Sequence, residues 1–530
     1  MSTDGAAGGA AESSGDRPVI AVVGGGMAGL AAAWQLATGL DDGAPAGRPG
    51  RVGSGDGALG DVRIVVLEAG SRFGGKVRST EFCGRTVDVA ADAFLARRPE
   101  ATDLCTELGL DDARVAPGAS GAALWARGRL RMMPDGLNLG VPSRWGPLAR
   151  SGILSAGGAA RAALDLVRTH HAEPGATGDR AVGEVVAARL GKQVVERLVD
   201  PLIGGIHAGG VTDLSAESTF PPLLVAERRS GSLMRRLRLP PPPSDPGGVT
   251  PPVFWSLEGS TARLPAELAE ALAARGVALH TGVAVERLDR DGPGDGRWRL
   301  TLAGDTAGVS GADGSSDSTR TLTVDGVILA VPAGQASTLL DGHAPLAAGL
   351  LAGIQHASVS VVTLAMPVGT IRSHLRGTGF LVPRTSTFDG RPAIITGCTY
   401  LTRKWPGLAR PDDELIRVSV GRFGDDRADN LDDDELTGAA FAELTSILDI
   451  DGRPSQSMVT RWDGAFPQYS VGHLDRTARI EEAVATLGGV AVAGAAYRGV
   501  GIPAVVGSGR AAALQVLRSL DAAAPPATTR

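Results

Sequence analysis

Val19-Ile-Ala-Val-Val-Gly24-Gly25-Gly26-Met27-Ala28-Gly29-Leu30 sets an apolar, largely β-branched run against a glycine cluster and then an alanine-rich segment. That succession predicts strand, tight turn and helix, the context in which Gly-x-Gly-x-x-Gly holds a dinucleotide. Gly24 permits the turn, Gly26 lets a pyrophosphate approach the backbone and Gly29 lets the helix pack on the strand. The N–H groups of the first helical turn, around Gly25, Met27 and Ala28, are offered to the anion. A plain structural turn carries the same pattern, so a second element is needed. Arg63-Ile-Val-Val-Leu67 supplies it, a buried-strand pattern ending on Glu68, whose carboxylate suits ribose hydroxyls and favours an unphosphorylated ribose. The separation of Gly29 from Glu68 exceeds the usual ~20 residues, and the excess coincides with a Gly-, Asp- and Ser-rich stretch at 41–61.

Outward from this unit, β-like runs at 276–279, 298–302, 323–331 and 489–493 alternate with helical patterns, which predicts an α/β fold. Residues 102–205, rich in Ala, Leu and Arg with helical spacing at 159–168 and 182–198, read as a helical subdomain. Residues 41–61 and 303–320 read as flexible insertions and 1–17 as a disordered tail, because none buries enough apolar surface to offset the entropy of ordering. The proline run from Pro240 to Pro243 marks a crossing between regions. The expected division is a Rossmann-type nucleotide-binding domain from 18–101, 253–302 and 488–522, the helical subdomain, and a mixed-sheet substrate domain from 206–252 and 321–487.

With 530 residues and 43% hydrophobic content, the chain can bury more than one core. Its 52 Lys+Arg against 58 Asp+Glu give a formal charge of −6, so the positive field that nucleic acid requires is missing. Cys83, Cys105 and Cys398 are far apart, and the histidines show no ligand spacing, which argues against a disulfide framework or a metal site. No basic and then apolar signal pattern opens the sequence, and no run of roughly 18 apolar residues follows. A reducing cytoplasm is the expected compartment.

Glu68-Ala69-Gly-Ser-Arg72-Phe-Gly74-Gly75-Lys76 extends the nucleotide site beyond what a nicotinamide fold needs. The pattern resembles the FAD site of the flavin amine oxidase superfamily, which includes the porphyrinogen oxidases. Asp88-Val-Ala90-Ala91-Asp92-Ala93-Phe94 resembles the superfamily's flavin-facing loop, with Ala90-Ala91 where Gly-Pro is usual. Asp200-Pro201-Leu-Ile-Gly204-Gly205-Ile-His207-Ala-Gly209-Gly210 is similar to a porphyrinogen oxidase signature. So is Arg461-Trp462-Asp-Gly-Ala-Phe-Pro467-Gln468-Tyr469-Ser-Val-Gly472-His473, which places Trp462 beside the cofactor. Arg498-Gly499-Val500-Gly501-Ile502 resembles the loop that caps the isoalloxazine, and Val285 matches the strand at the adenine end. The resemblance implies non-covalent FAD held by Gly24, Gly25, Gly26, Met27, Ala28, Gly29, Glu68, Ala69, Lys76, Ala90, Ala91, Asp92, Ala93, Val285, Trp462, Val500, Gly501 and Ile502.

It further implies that a porphyrinogen is oxidised to a porphyrin in haem biosynthesis, with oxygen as acceptor and hydrogen peroxide as product. No Ser-His-Asp or paired-carboxylate constellation emerges, so no catalytic acid or base is assigned. Propionates call for arginine; Arg97 and Arg98 are candidates, with solvated charges at a helix start as the alternative. Ala122 stands where some protoporphyrinogen-using members carry a propionate-binding arginine, which points to coproporphyrinogen III, with protoporphyrinogen IX as runner-up. Arg144, Arg150, Arg161 and Arg168 among apolar residues read either as an amphipathic helix facing water or as a peripheral contact with a membrane surface or a ferrochelatase-type next enzyme. An amine oxidase would need an aromatic pair before the flavin, for which the C-terminal loop offers only Tyr497. A non-enzymatic flavin carrier stays open, and Cys398 reads as a buried core thiol rather than a covalent tether.

Overall fold

A computed structural model describes residues 17–39, 62–167, 178–238, 252–292, 296–313 and 320–523. The tail read at 1–17 apart from Arg17, the insertion at 41–61, most of the second half of 303–320, the Pro240 to Pro243 crossing and Arg168 lie outside the described residues.

Strand β1 (Val19–Val23) runs into helix α1 (Met27–Thr38), and the chain returns through β2 (Arg63–Glu68). Strands β3 (Ala278–Thr281), β4 (Gly326–Leu329) and β5 (Val490–Val492) complete a parallel sheet in the order β3-β2-β1-β4-β5. All five residues of β1 are buried, as a strand covered on both faces requires. Its period of two divides them. Ile20 and Val22, with Ile64 and Val66 of β2, pack under α1, the helix Arg263–Ala273 and the C-terminal α2 (Ile502–Ala523). Val19, Ala21 and Val23 pack against an antiparallel meander and the helices Ala333–Leu340, Pro345–Ala352 and His473–Ala485. The meander runs through Val283–Arg290, Trp298–Gly304 and Arg320–Val324. Helices α1 and α2 touch backbone to backbone, since a Cβ on Gly509 would stand 2.1 Å from the Ala28 carbonyl oxygen.

The second sheet has seven strands in the order Gln456–Pro467, His356–Pro367, Asp413–Val420, Ile395–Tyr400, Gly379–Leu381, Ala123–Ala126 and Arg129–Met132. Ile416, Val418 and Val420 pack with Leu436, Ala440 and Leu444 of the helix Asp433–Ile447, which opens on an Asp432/Glu435 capping box. Alternation then turns Arg417 and Ser419 to the opposite face, toward the first sheet.

Three readings shift. The run at 323–331 divides at Asp325, whose N–H donates to Val19 O at 2.8 Å and whose carboxylate accepts from Val19 N–H at 2.7 Å, so one half joins the meander and the other becomes β4. Residues 326–352 therefore belong with the nucleotide-binding half, and the hairpin at 123–132 joins the seven-stranded sheet while its Leu124 and Ala126 pack into the helical core. The helix expected at 182–198 breaks at Gly191, where φ is 93°, and continues as a π-helix, Val195–Gly204, with Pro201 inside. The missing N–H of proline removes one bond of a regular helix, and the wider turn accommodates that loss. Among the described residues no helix is long and apolar enough to cross a membrane.

Candidate cofactor and substrate site

Where β1 ends, Gly24 takes φ 106°, and a Cβ there would lie 2.5 Å from Ala330 O. A Cβ on Gly29 would lie 1.8 Å from Gly24 O, so the turn and the helix start are locked together by the absence of side chains. The N-cap of α1 is Gly26, which offers no side-chain acceptor, and the first-turn N–H groups are left for a ligand. Gly24, Gly26, Met27 and Ala28 line a cavity of about 800 Å³. A Cβ on Gly26 would meet nothing nearer than Gly75 Cα at 3.9 Å, so glycine there keeps open a space that the protein itself does not fill. Gly25 and Gly29 shape the turn rather than line the cavity: a Cβ on Gly25 would strike the Phe73 ring.

Glu68 closes β2 and accepts from Gly25 N–H at 2.6 Å and Gly70 N–H at 2.7 Å, which fixes its carboxylate against the turn. Glu68 and Ala69 line the same cavity, as do Val285 on the meander side and Lys76. The Lys76 ammonium donates to Ala465 O at 2.6 Å, tying the first sheet's loop to the second sheet. Burial lowers its pKa, and His356 beside it is lowered by burial and by the Lys76 charge.

Ala90, Ala91 and Ala93 line the cavity, whereas Asp92, expected among the cofactor contacts, does not. Its carboxylate points into the protein, where it meets Lys404 Nζ at 2.9 Å, Arg417 at 3.1 Å and Trp405 Nε1–H at 3.2 Å. Burial alone would raise its pKa, but Arg417 and Lys404 hold it well below the usual carboxylate range. Arg417 also donates to Asp88 O at 2.8 Å and Ala90 O at 3.2 Å, so Asp92 acts as an anchor for the loop rather than as a ligand contact.

Trp462 lines the cavity and its Nε1–H donates to Val89 O at 3.0 Å, which fixes the indole against the same loop. Val500, Gly501 and Ile502 line it from the other side. Their approach is set by Tyr469, whose hydroxyl donates to Ala495 O and accepts from Gly499 N–H at 2.9 Å. The Tyr469 ring stacks on His473 at 4.1 Å between centroids, and His207 lies 5.6 Å away on its other contact. Burial pushes both imidazoles down to about 4, so they are neutral at ordinary pH.

Arg97 and Arg98 are exposed and do not line the cavity; Arg98 pairs with Glu100 at 2.6 Å. They follow the short strand Phe94–Leu95, which pairs with Phe254–Leu257 and leads out to the surface helix Pro99–Glu107. Among the described residues, the arginines that do line the cavity are Arg384, Arg417 and Arg422. Arg417 was visible as a cation within an alternating apolar strand; nothing in the sequence around Arg384 marks it. Cys398 is buried in the core beneath the second sheet, away from the cavity lining, and burial pushes its thiol up.

The sequence profile of the family described as flavin containing amine oxidoreductase matches residues 27–517. The chain is 35% identical over 492 residues to a coproporphyrinogen III oxidase of Mycobacterium leprae (strain TN), with 92% of this chain and 96% of that protein covered. It is 30% identical over 505 residues to a coproporphyrinogen III oxidase of Bacillus subtilis (strain 168), with 94% and 98% covered. A solved structure from Exiguobacterium sp. 255-15, named after protoporphyrinogen oxidase, superposes with a TM-score of 0.76 at 29% identity, covering 96% of this chain and 99% of that one.

Proposed function

The chain belongs to the flavin-containing amine oxidoreductase family, and we propose that it is an oxygen-dependent coproporphyrinogen III oxidase of haem biosynthesis, yielding coproporphyrin III and hydrogen peroxide. One observation carries the reading. The cavity that starts at the Gly24–Ala28 turn continues onto the seven-stranded sheet, where its lining combines apolar residues such as Val359, Val361, Val382 and Phe466 with Arg384, Arg417 and Arg422. A flat apolar macrocycle with an anionic edge, laid against a flavin, matches that lining.

FAD bound there supplies a two-electron acceptor that oxygen can regenerate. The chain's own residues hold, orient and exclude water. The helix α1 N-terminus and the glycine turn take the pyrophosphate, Glu68 the ribose, and Trp462 with Val500, Gly501 and Ile502 the ring system. We assign no acid or base among them; the protons leave through substrate nitrogens and water.

Protoporphyrinogen IX is the second reading, favoured by the name of the Exiguobacterium structure. An amine-binding aromatic pair is not supported by Tyr497, which is 1% exposed, has its hydroxyl inside the core and stays out of the cavity lining. Anaerobic mixing of the yellow protein with each porphyrinogen, followed by air, tests the choice. Faster flavin bleaching and later porphyrin fluorescence with coproporphyrinogen III uphold the proposal. A preference for protoporphyrinogen IX promotes the second reading, and bleaching by neither leaves a flavin carrier.

We place the protein in the cytoplasm with a peripheral contact, to a membrane surface or a ferrochelatase-type next enzyme, through Arg144 and Arg150, which are exposed beside the helix Trp145–Arg150. Arg161 is engaged within the fold, where it donates to Arg189 O at 2.9 Å and Ala188 O at 2.8 Å and so caps the helix Val182–Leu190. Liposome co-sedimentation at low salt checks the contact, and no binding would remove the membrane from it.

A further inference from the structure

Two of the arginines in the cavity wall each have a buried Nε without an acceptor. Arg422 follows the strand Asp413–Val420 and is 7% exposed; one Nη donates to Ile395 O at 3.0 Å, and its Nε is buried with no acceptor. Arg384 follows the strand Gly379–Leu381, and its Nε is likewise buried without an acceptor. The carboxylates around them are otherwise engaged. Asp425 is held by Arg427 Nε at 2.8 Å and Nη2 at 2.6 Å, and Glu443 accepts from Ile394 N–H and Ile395 N–H. Asp200 accepts from Val211 N–H at 3.2 Å and comes no closer to Arg384 Nε than 3.9 Å, an ion pair beyond hydrogen-bond length.

A guanidinium is an obligate donor that cannot shed its proton, and burying one without an acceptor is costly. Burial and the neighbouring Arg384 charge lower the pKa of Arg422, and Asp200 and Asp425 offset only part of that shift. Arg417, by contrast, has Asp92 and two backbone carbonyls, and is not among the groups with a buried unsatisfied nitrogen. Both arginines line the same cavity as the glycine turn and Trp462, close to the second sheet.

We propose that Arg384 and Arg422 form a carboxylate subsite that takes one propionate of the tetrapyrrole and sets its orientation toward the flavin. The assignment rests on the porphyrinogen reading above. A carboxylate in the cavity beside both arginines meets the planar fork geometry that a guanidinium, unlike the lysine ammonium, provides. Asp200, which lies 3.9 Å from Arg384 Nε, disfavours a second anion at the same place.

The test uses the FAD-loaded full-length protein and its Arg384→Gln variant, chosen because the Arg384 side chain is 38% exposed and its loss threatens folding least. Loss of a charge-assisted contact raises KM for coproporphyrinogen III about 10- to 100-fold with kcat changed far less, and FAD occupancy and spectrum stay the same. The two proteins converge on coproporphyrinogen tetramethyl ester, which carries no carboxylate. Arg422→Lys, which keeps the buried charge but not the fork, shows the same pattern at smaller amplitude. A KM within twofold of the wild type, or an equal loss on the ester, overturns the subsite. Equilibrium binding of coproporphyrin III, followed by quenching of protein fluorescence, separates this from the fate of the reaction: at least 10-fold weaker binding by Arg384→Gln upholds the subsite even if the wild type oxidises neither porphyrinogen, and equal binding refutes it.

Discussion

Replacing Asp92 with Asn tests the claim that this residue holds the flavin loop without touching flavin. The substitution keeps the size and one acceptor but leaves Lys404 and Arg417, whose side chains are 16% and 10% exposed, without their counter-charge. Removing one partner of a buried pair costs about 3–5 kcal/mol, and the amide can still receive one hydrogen bond, which favours the lower end. Unfolding entropy of roughly 2 cal/mol/K per residue amounts to about 1 kcal/mol/K over a chain of 530 residues, so a loss of ~3 kcal/mol lowers Tm by about 3 °C. Arg417, released from Asp92, also holds Ala90 O less firmly, and FAD dissociates about 10-fold faster. The pH dependence has a definite sign. The folded-state pKa lies below the unfolded value of about 4, so the stabilisation is complete above pH ~4 and is lost only as pH falls through the folded value. The gap between wild type and variant is therefore constant from about pH 5 to 9. Thermal melts read by flavin fluorescence, with stopped-flow release of FAD, measure both effects. A Tm within 1 °C of wild type together with unchanged release, or a gap that changes across that pH range, would refute the anchoring role.

Tyr469→Phe removes the donor to Ala495 O and the acceptor for Gly499 N–H; unsatisfied buried groups cost about 1–3 kcal/mol, so FAD affinity falls roughly 5- to 100-fold, and equal affinity in a titration of the apoprotein would sink the idea. His207 and His473 titrate near 4 in the fold against about 6.5 unfolded, so the unfolded chain binds more protons between those values and stability drops as pH falls from 6.5 to 4; His473→Gln should flatten that slope in a Tm series, and a wild-type Tm independent of pH in this window would contradict it. Denaturation should release the yellow colour to the supernatant, since Cys398 is away from the cavity; colour retained on the polypeptide would overturn the non-covalent assignment.

Local order made the nucleotide half legible. Gly24, Gly26 and Gly29 lie within six positions, and their strand–turn–helix needs no distant partner to be recognised. The run at 323–331 read as one strand because the break at Asp325 gets its meaning from Val19, which lies 306 positions away. The same distance problem hid the arginines. Arg384 and Arg422 lie just beyond the strands Gly379–Leu381 and Asp413–Val420, and where those strands deliver the chain depends on pairing with segments distant in sequence. Arg97 and Arg98 were drawn in by proximity to a flavin motif, but two residues of strand carry them past the cavity to the surface. Asp92 was misplaced within its loop because Lys404 and Arg417, 312 and 325 positions on, pull it inward.

The close packing of α2 on α1 through Gly509 has a bearing on biosynthesis. Strand β5 and α2 complete the nucleotide sheet, and 467 positions separate Val23 from Val490. At about 5–20 residues per second, the ribosome takes roughly half a minute to a minute and a half to supply the last strand. During that interval the face of α1 that α2 later covers has no partner, and FAD cannot be enclosed. Loading of the cofactor is thus a late event in the life of the nascent chain, and ribosome-bound fragments ending before β5 are the species for which chaperones have most to shield.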